Sequence, residues 1–90
     1  MNRLLISYDL WWPETSSDYK ELIDKIKSYW DYKKWLESFR FIKTNKLPPA
    51  VRDELSPLLD KNDKLIVIDI TNKWWASFRL PSDVTDWLKK

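Results

Sequence analysis

Glycine is absent from these 90 residues, although average usage would place about six in a chain of this length. Every turn must therefore be built from residues that carry a Cβ. The ones that best tolerate positive φ are Asn45, Asn62 and Asn72, with nearby aspartates. The same absence excludes Walker-type phosphate loops and dinucleotide-binding turns, which need glycine where backbone approaches phosphate. Cysteine is missing too, so there is no disulfide framework, no thiolate nucleophile and no cysteine metal site, the pattern expected of a cytoplasmic protein. Without histidine the commonest general base and metal ligand are gone, which excludes zinc sites and serine–histidine or cysteine–histidine triads. Apolar runs extend over only a few residues, so no transmembrane helix is expected, and the chain opens on a strand-like segment rather than a signal peptide.

What is present is charge in near balance and tryptophan in excess. Sixteen Lys and Arg against fourteen Asp and Glu leave a net charge of +2, well short of the basic stripe of a dedicated nucleic-acid binder. An apolar share of 43% with 33% charged residues fits one small, soluble domain over residues 1–90, with a core unit at 1–70 and a tryptophan-rich extension at 71–90. Seven tryptophans are present, four of them in the pairs Trp11-Trp12 and Trp74-Trp75, both in segments that read as loops. Adjacent residues on extended backbone point to opposite sides, so at least one member of each pair should be exposed unless a partner covers it.

Periodicity supplies the elements. Arg3 to Leu10 reads as an inner strand with Leu4, Ile6 and Tyr8 on one face, ended by Trp11-Trp12-Pro13. Ser16, Ser17 or Asp18 then caps a helix with the stripe Tyr19, Leu22, Ile23, Ile26, Tyr29 and Trp30, and Glu21 with Lys25 forms an outer pair. A short strand near Trp35 precedes a longer one from Ser38 to Thr44, with Phe39, Phe41 and Lys43 on one side and Arg40, Ile42 and Thr44 on the other. Pro48-Pro49 opens a second helix carrying Val51, Leu55, Leu58 and Leu59, and Pro57 should tighten its last turn. Leu65 to Ile70 is almost unbroken apolar sequence, the pattern of a strand buried in the middle of a sheet. Ser82 then caps a short last helix with Val84, Trp87 and Leu88. Right-handed crossovers fold this order into an α+β domain. The expected form is a ferredoxin-like split β-α-β (βαββαβ) antiparallel sheet with two helices on one face and a short C-terminal extension. The first and last strands are then antiparallel neighbours, so Asp9 and Asp69 lie at opposite ends and do not share a metal.

Three constellations bear on function. Asp9, at the end of the first strand, is placed to hold Mg²⁺ with a partner carboxylate or waters; its plainer role is to bond backbone amides. Lys33, Lys34, Trp35, Phe39, Arg40, Phe41, Lys43 and Lys46 interleave rings with cations, as single-strand RNA binders do. Ser38 to Lys43 is similar to the third-strand motif of RNA-recognition domains in its two aromatics, with Glu37 where a basic residue is usual and Ser38 where glycine is. The plainer reading puts the rings in the core and the cations in water. Among the tryptophans, Trp30 and Trp87 sit on helical stripes and should be core, while the paired ones suit a binding hot spot or, alternatively, a small core under the C-terminal extension.

The segments LLISYDL, LIDKIKSYW, SFRFIKTN, VRDELSPLLD and KNDKLIVIDIT, followed by the tryptophan-rich tail, together resemble the small nuclease-like subunit of CRISPR adaptation complexes, and more closely its SinR-like relatives. The resemblance implies a ferredoxin-like fold, often a symmetric dimer, and in the nuclease branch a metal-binding Asp that falls on Asp9. Trp11-Trp12 stands where relatives carry glycine and polar residues, and the pair would crowd the Asp9 mouth. Tryptophan and arginine in place of small residues, with no glycine, are also what a natural scaffold with a redesigned or selected surface would show. The leading expectation is a non-catalytic binding module without cofactor, meeting a protein partner or a second copy through Trp11, Trp12, Trp74, Trp75, Trp35 and Arg40. The alternatives are a Mg²⁺-dependent nuclease using Asp9, and single-strand nucleic-acid binding through Lys33, Lys34, Phe39, Phe41 and Lys43.

Overall fold

The strand that opens the chain, β1 (Asn2–Asp9), lies inside a four-stranded antiparallel sheet, paired with β3 (Phe39–Thr44) on one side and β4 (Lys64–Asp69) on the other. With β2 (Asp31–Leu36) beyond β3, the order is β2-β3-β1-β4. The computed structural model describes residues 1–11, 19–29, 31–36 and 39–89, the side chains of residues 35 and 36 excepted. Among these, three helices accompany the sheet: α1 (Lys20–Lys27), α2 (Pro48–Leu55) and α3 (Ser82–Lys89). The two prolines that start α2 occupy positions whose N–H groups a helix leaves unpaired anyway. Pro57 lies in a tight 3-10 turn, Ser56–Leu58, that closes the helix as its sequence implies. The cap expected for α1 at Ser16 to Asp18 and the stripe residue Trp30 lie outside the described residues.

Strand alternation gives the sheet two apolar faces. Leu4, Ile6 and Tyr8 of β1 and Ile42 of β3 point to one side, where Leu22 and Ile26 of α1 and Val51 and Leu55 of α2 close over them. The outer face of α1 carries the ion pair Lys20–Asp24 at 2.6 Å, while Lys25, expected to pair with Glu21, lies 3.8 Å from Glu54 of α2. Glu54 also accepts from Tyr29 and Lys46. Burial and that bond to Glu54 push the Tyr29 hydroxyl up from its ordinary value, and the Lys46 and Tyr29 donors hold the Glu54 carboxyl down.

On the opposite face the C-terminal extension returns as α3, whose Val84, Trp87 and Leu88 bury Phe41 with Leu5, Ile70 and Leu80 alongside. The Phe41 and Trp87 rings are tilted with centroids 6.1 Å apart, and the Lys43 ammonium sits 4.8 Å from the Trp87 centroid. Lys33 of β2 bonds Asp83 at 2.5 Å and anchors the start of the helix. The cover is partial, because α3 packs over β2 and β3 and leaves the β4 side open. This corrects one expectation: β4 is an edge strand, not a central one. Leu65 and Val67 face the α1/α2 core, but Ile66 and Ile68, at 55% and 42% exposure, face the side α3 does not reach. An unbroken apolar run thus marks a strand with apolar residues on both faces, whether or not both faces are covered.

Candidate binding surface

β1 starts beside Ile70, whose N–H donates to the Arg3 carbonyl at 2.9 Å, and ends with Asp9 opposite Lys64. Trp11 and Trp74 therefore leave the sheet from opposite ends, separated by a strand that spans about 20 Å. They belong to two surfaces. The same register puts Asp69 opposite Leu4, so the two aspartates stand at opposite ends of the sheet as topology requires.

The surface after β4 begins where Thr71 takes over the ladder: its hydroxyl accepts from Arg3 N–H at 2.8 Å and its own N–H donates to Asp69 Oδ1 at 2.8 Å. The Thr71 donors hold the Asp69 carboxyl below its ordinary value. The chain then turns at Asn72, φ 54°, runs through Lys73 to Phe78 without regular structure, and turns again at Arg79, φ 59°. Asn72 is among the residues suited to positive φ; Arg79 takes it against the ordinary preference of a long side chain, and its guanidinium lies 4.8 Å from the Phe78 centroid. Between these two reversals Trp74 stands 99% exposed and Phe78 79% exposed. Trp75 folds the other way and, with Phe78, Phe41, Ile70, Leu80 and Leu88, lines an apolar cleft of about 380 Å³, to which Lys73 adds a cation. Covering one such ring removes roughly 150–250 Å² from water, worth about 4–6 kcal/mol before ordering costs.

The surface at the far end is polar. Asp9, Leu10, Trp11, Lys61, Asp63 and Lys64 line a groove of about 420 Å³. Asp63 organises it. Its Oδ1 accepts from Trp11 N–H at 2.7 Å and from the hydroxyl of buried Tyr19 at 2.9 Å, and its Oδ2 accepts from Asp60 N–H at 2.7 Å. Burial alone would push that carboxyl up, but the bonds from Trp11, Asp60 and Tyr19 outweigh it and hold it down. Both Asp63 oxygens are thus engaged in holding the loop. Among the described residues no three carboxylates converge. Trp11 is 65% exposed at this groove, and Trp12 lies outside the described residues.

The remaining expected site residues separate by face. Arg40 is 2% exposed, beneath the sheet on the α1/α2 side, where its Nε donates to Tyr8 Oη at 2.7 Å and its Nη1 donates to Tyr32 Oη. Phe41 lies under α3, Lys43 reaches Trp87 and Asp31, and Lys33 holds Asp83, so these groups serve α3 docking. Lys34 is exposed, Phe39 is half-buried, and the side chain of Trp35 lies outside the described residues. Alternation alone puts Arg40 on the Ile42 side of its strand; the burial follows once that side faces the helices. Asp63 and Phe78 carry no comparable signal in the sequence, since a turn aspartate and a loop phenylalanine are ordinary in isolation. Comparison with protein-family models, with curated proteins and with solved structures finds no match to this chain, so the reading of its surfaces rests on the residues themselves.

Proposed function

We propose that this chain is a non-catalytic binding module on a ferredoxin-like scaffold, and that it docks a protein segment through the loop from Lys73 to Leu80. The scaffold reading is supported by the sheet order, which from the β4 edge runs 4-1-3-2 with every neighbouring pair antiparallel, and by the helices that follow β1 and β3. The SinR-like resemblance of LLISYDL and KNDKLIVIDIT points to the same arrangement. The observation that carries the binding reading is a fully exposed Trp74 beside an apolar cleft of about 380 Å³. Such an aromatic plays no packing role in the fold, and hot spots are enriched in tryptophan next to pockets that exclude water. The expected partner segment presents one apolar side chain for the cleft and an acidic group for Lys73 or Arg79. The lack of cysteine supports a cytoplasmic setting, and a redesigned or selected surface accounts for tryptophan where a scaffold needs none.

Selection of displayed random peptides on the immobilised chain, with counter-selection on Trp74→Ala/Phe78→Ala, tests the reading. Both side chains are largely in water, so the variant keeps its fold. Recovered peptides should carry an apolar anchor and lose about tenfold or more in affinity for the variant. Peptides that bind both proteins equally, or none at all, sink it.

A further inference from the structure

The two edges of the sheet are not alike. β2 carries Lys33 and Lys34 and a register irregularity between Lys34 and Leu36, devices that discourage a further strand from pairing there. β4 carries none of these between its ends: its register with β1 is continuous from Lys64 to Asp69, and Leu65-Ile66-Val67-Ile68 has no charge and no proline. Because Ile70 N–H bonds β1, alternation turns the backbone groups of Ile66 and Ile68 inward and those of Leu65, Val67 and Asp69 outward.

We infer that this edge pairs with a second copy of the chain, β4 against β4 about a two-fold axis at Val67, joining the two sheets into one of eight strands. Two-fold pairing keeps the faces of the sheets aligned and sets outward residues against outward ones, so the axis passes through one residue between Leu65 and Asp69, at a hydrogen-bonded or a non-hydrogen-bonded pair. An axis at Ile66 sets Lys64 against the partner's Ile68 and carries Asp69 past the end of the partner's strand, and one at Ile68 carries Leu65 past it, opposite Thr71. An axis at Asp69 sets two carboxylates directly opposite, and one at Leu65 sets Lys64 against the partner's Ile66 and leaves Ile68 in water. The Val67 axis uses all three outward residues. It also puts Ile66 against the partner's Ile68 in the closer, non-hydrogen-bonded positions, so that four isoleucines exposed in the single chain cover one another on the face α3 leaves open. Charge agrees with this register. Arg52, paired with Asp53 at 2.9 Å in the single chain, lines with Pro48, Pro49 and Leu65 a groove of about 280 Å³ along this edge, and the partner's Asp69 arrives opposite Leu65 as a second carboxylate for that exposed guanidinium. This interface is separate from the Lys73 to Leu80 loop.

Sedimentation equilibrium of the full chain over a concentration series should show a monomer–dimer equilibrium. Ile66→Lys, which sets ammonium groups against the partner's Ile68 at a position already exposed, should weaken it about tenfold or more, while Trp74→Ala/Phe78→Ala leaves it unchanged. Because the chain has no cysteine, the register can be read directly: oxidised Val67→Cys should link to itself, its Cα atoms being about 5.5 Å apart across the axis, whereas Lys64→Cys should not. A chain that stays monomeric throughout, a dimer that ignores Ile66→Lys, one lost with the tryptophan variant, or cross-linking of the Lys64→Cys variant in place of the Val67→Cys variant would each overturn the inference.

Discussion

The two faces of the sheet are built from the same strands by the same alternation, yet one is closed and the other is not. On the α1/α2 side Leu4, Ile6, Ile42, Leu22, Ile26, Val51 and Leu55 have no exposed surface. On the α3 side a single eight-residue helix covers Phe41, while Ile66, Ile68 and the loop beyond Asn72 stay in water. Stability is concentrated on the first face and recognition is free to occupy the second, because a surface that must be covered for folding is not available for a partner.

The sharpest test of that division is a large-to-small change on the closed face. Ile6→Ala should cost about 4 kcal/mol and lower the denaturation midpoint of the whole domain, since the site is enclosed on every side and cannot collapse. Trp87→Ala should cost about 3 kcal/mol, with α3 lost before the sheet: hydrogen exchange should rise first in Ser82 to Lys89 while β1 and α1 stay protected. Equal exposure of both regions in that variant would break the comparison. Asp63→Ala removes the acceptor for three donors, one of them the hydroxyl of buried Tyr19, and should cost about 2 kcal/mol by urea denaturation.

Acid should then loosen both faces together. Glu54, Asp63 and Asp69 on one side and Asp83 on the other all have carboxyls held below the ordinary 4.5 and 3.8 by their donors. Their folded values lie below their unfolded ones, so their contribution is complete above the unfolded values and is lost as pH falls through the folded ones. A thermal midpoint flat from neutrality to about pH 5 and falling below about pH 4 is the expected profile. The smallest effect belongs to the open face: Trp74→Ala should change stability by less than about 0.5 kcal/mol, because a side chain in water has no packing to lose. A clear loss would show that Trp74 supports the fold.

Most of the element plan was legible in the chain. The order strand, helix, strand, strand, helix, strand and a last short helix follows from hydrophobic periods of two and 3.6, and it is the order found. Of the three asparagines suited to positive φ in a chain without glycine, Asn72 takes it and Asn45 and Asn62 do not, and the separation of Asp9 from Asp69 followed from antiparallel pairing. Local sequence could do this because period, capping and turn chemistry are properties of a few adjacent residues. It could not assign layers. Leu65 to Ile70 has the same composition at the edge of a sheet as at its centre, and only the pairing of β1 between β3 and β4 put it at the edge. Arg40 and Phe41, interleaved with cations, had the makings of one stacking surface, but successive residues of a strand face opposite ways. One therefore went beneath the sheet to Tyr8 and Tyr32 and the other beneath α3.

By itself, then, the chain determined the type and order of its elements and the chemistry excluded for lack of glycine, cysteine and histidine. Which apolar residues would be covered was decided only in three dimensions, because burial depends on where distant segments return. α3 came back over β2 and β3 and stopped short of β4, and that single choice of landing place separates the apolar residues that are buried from those left in water.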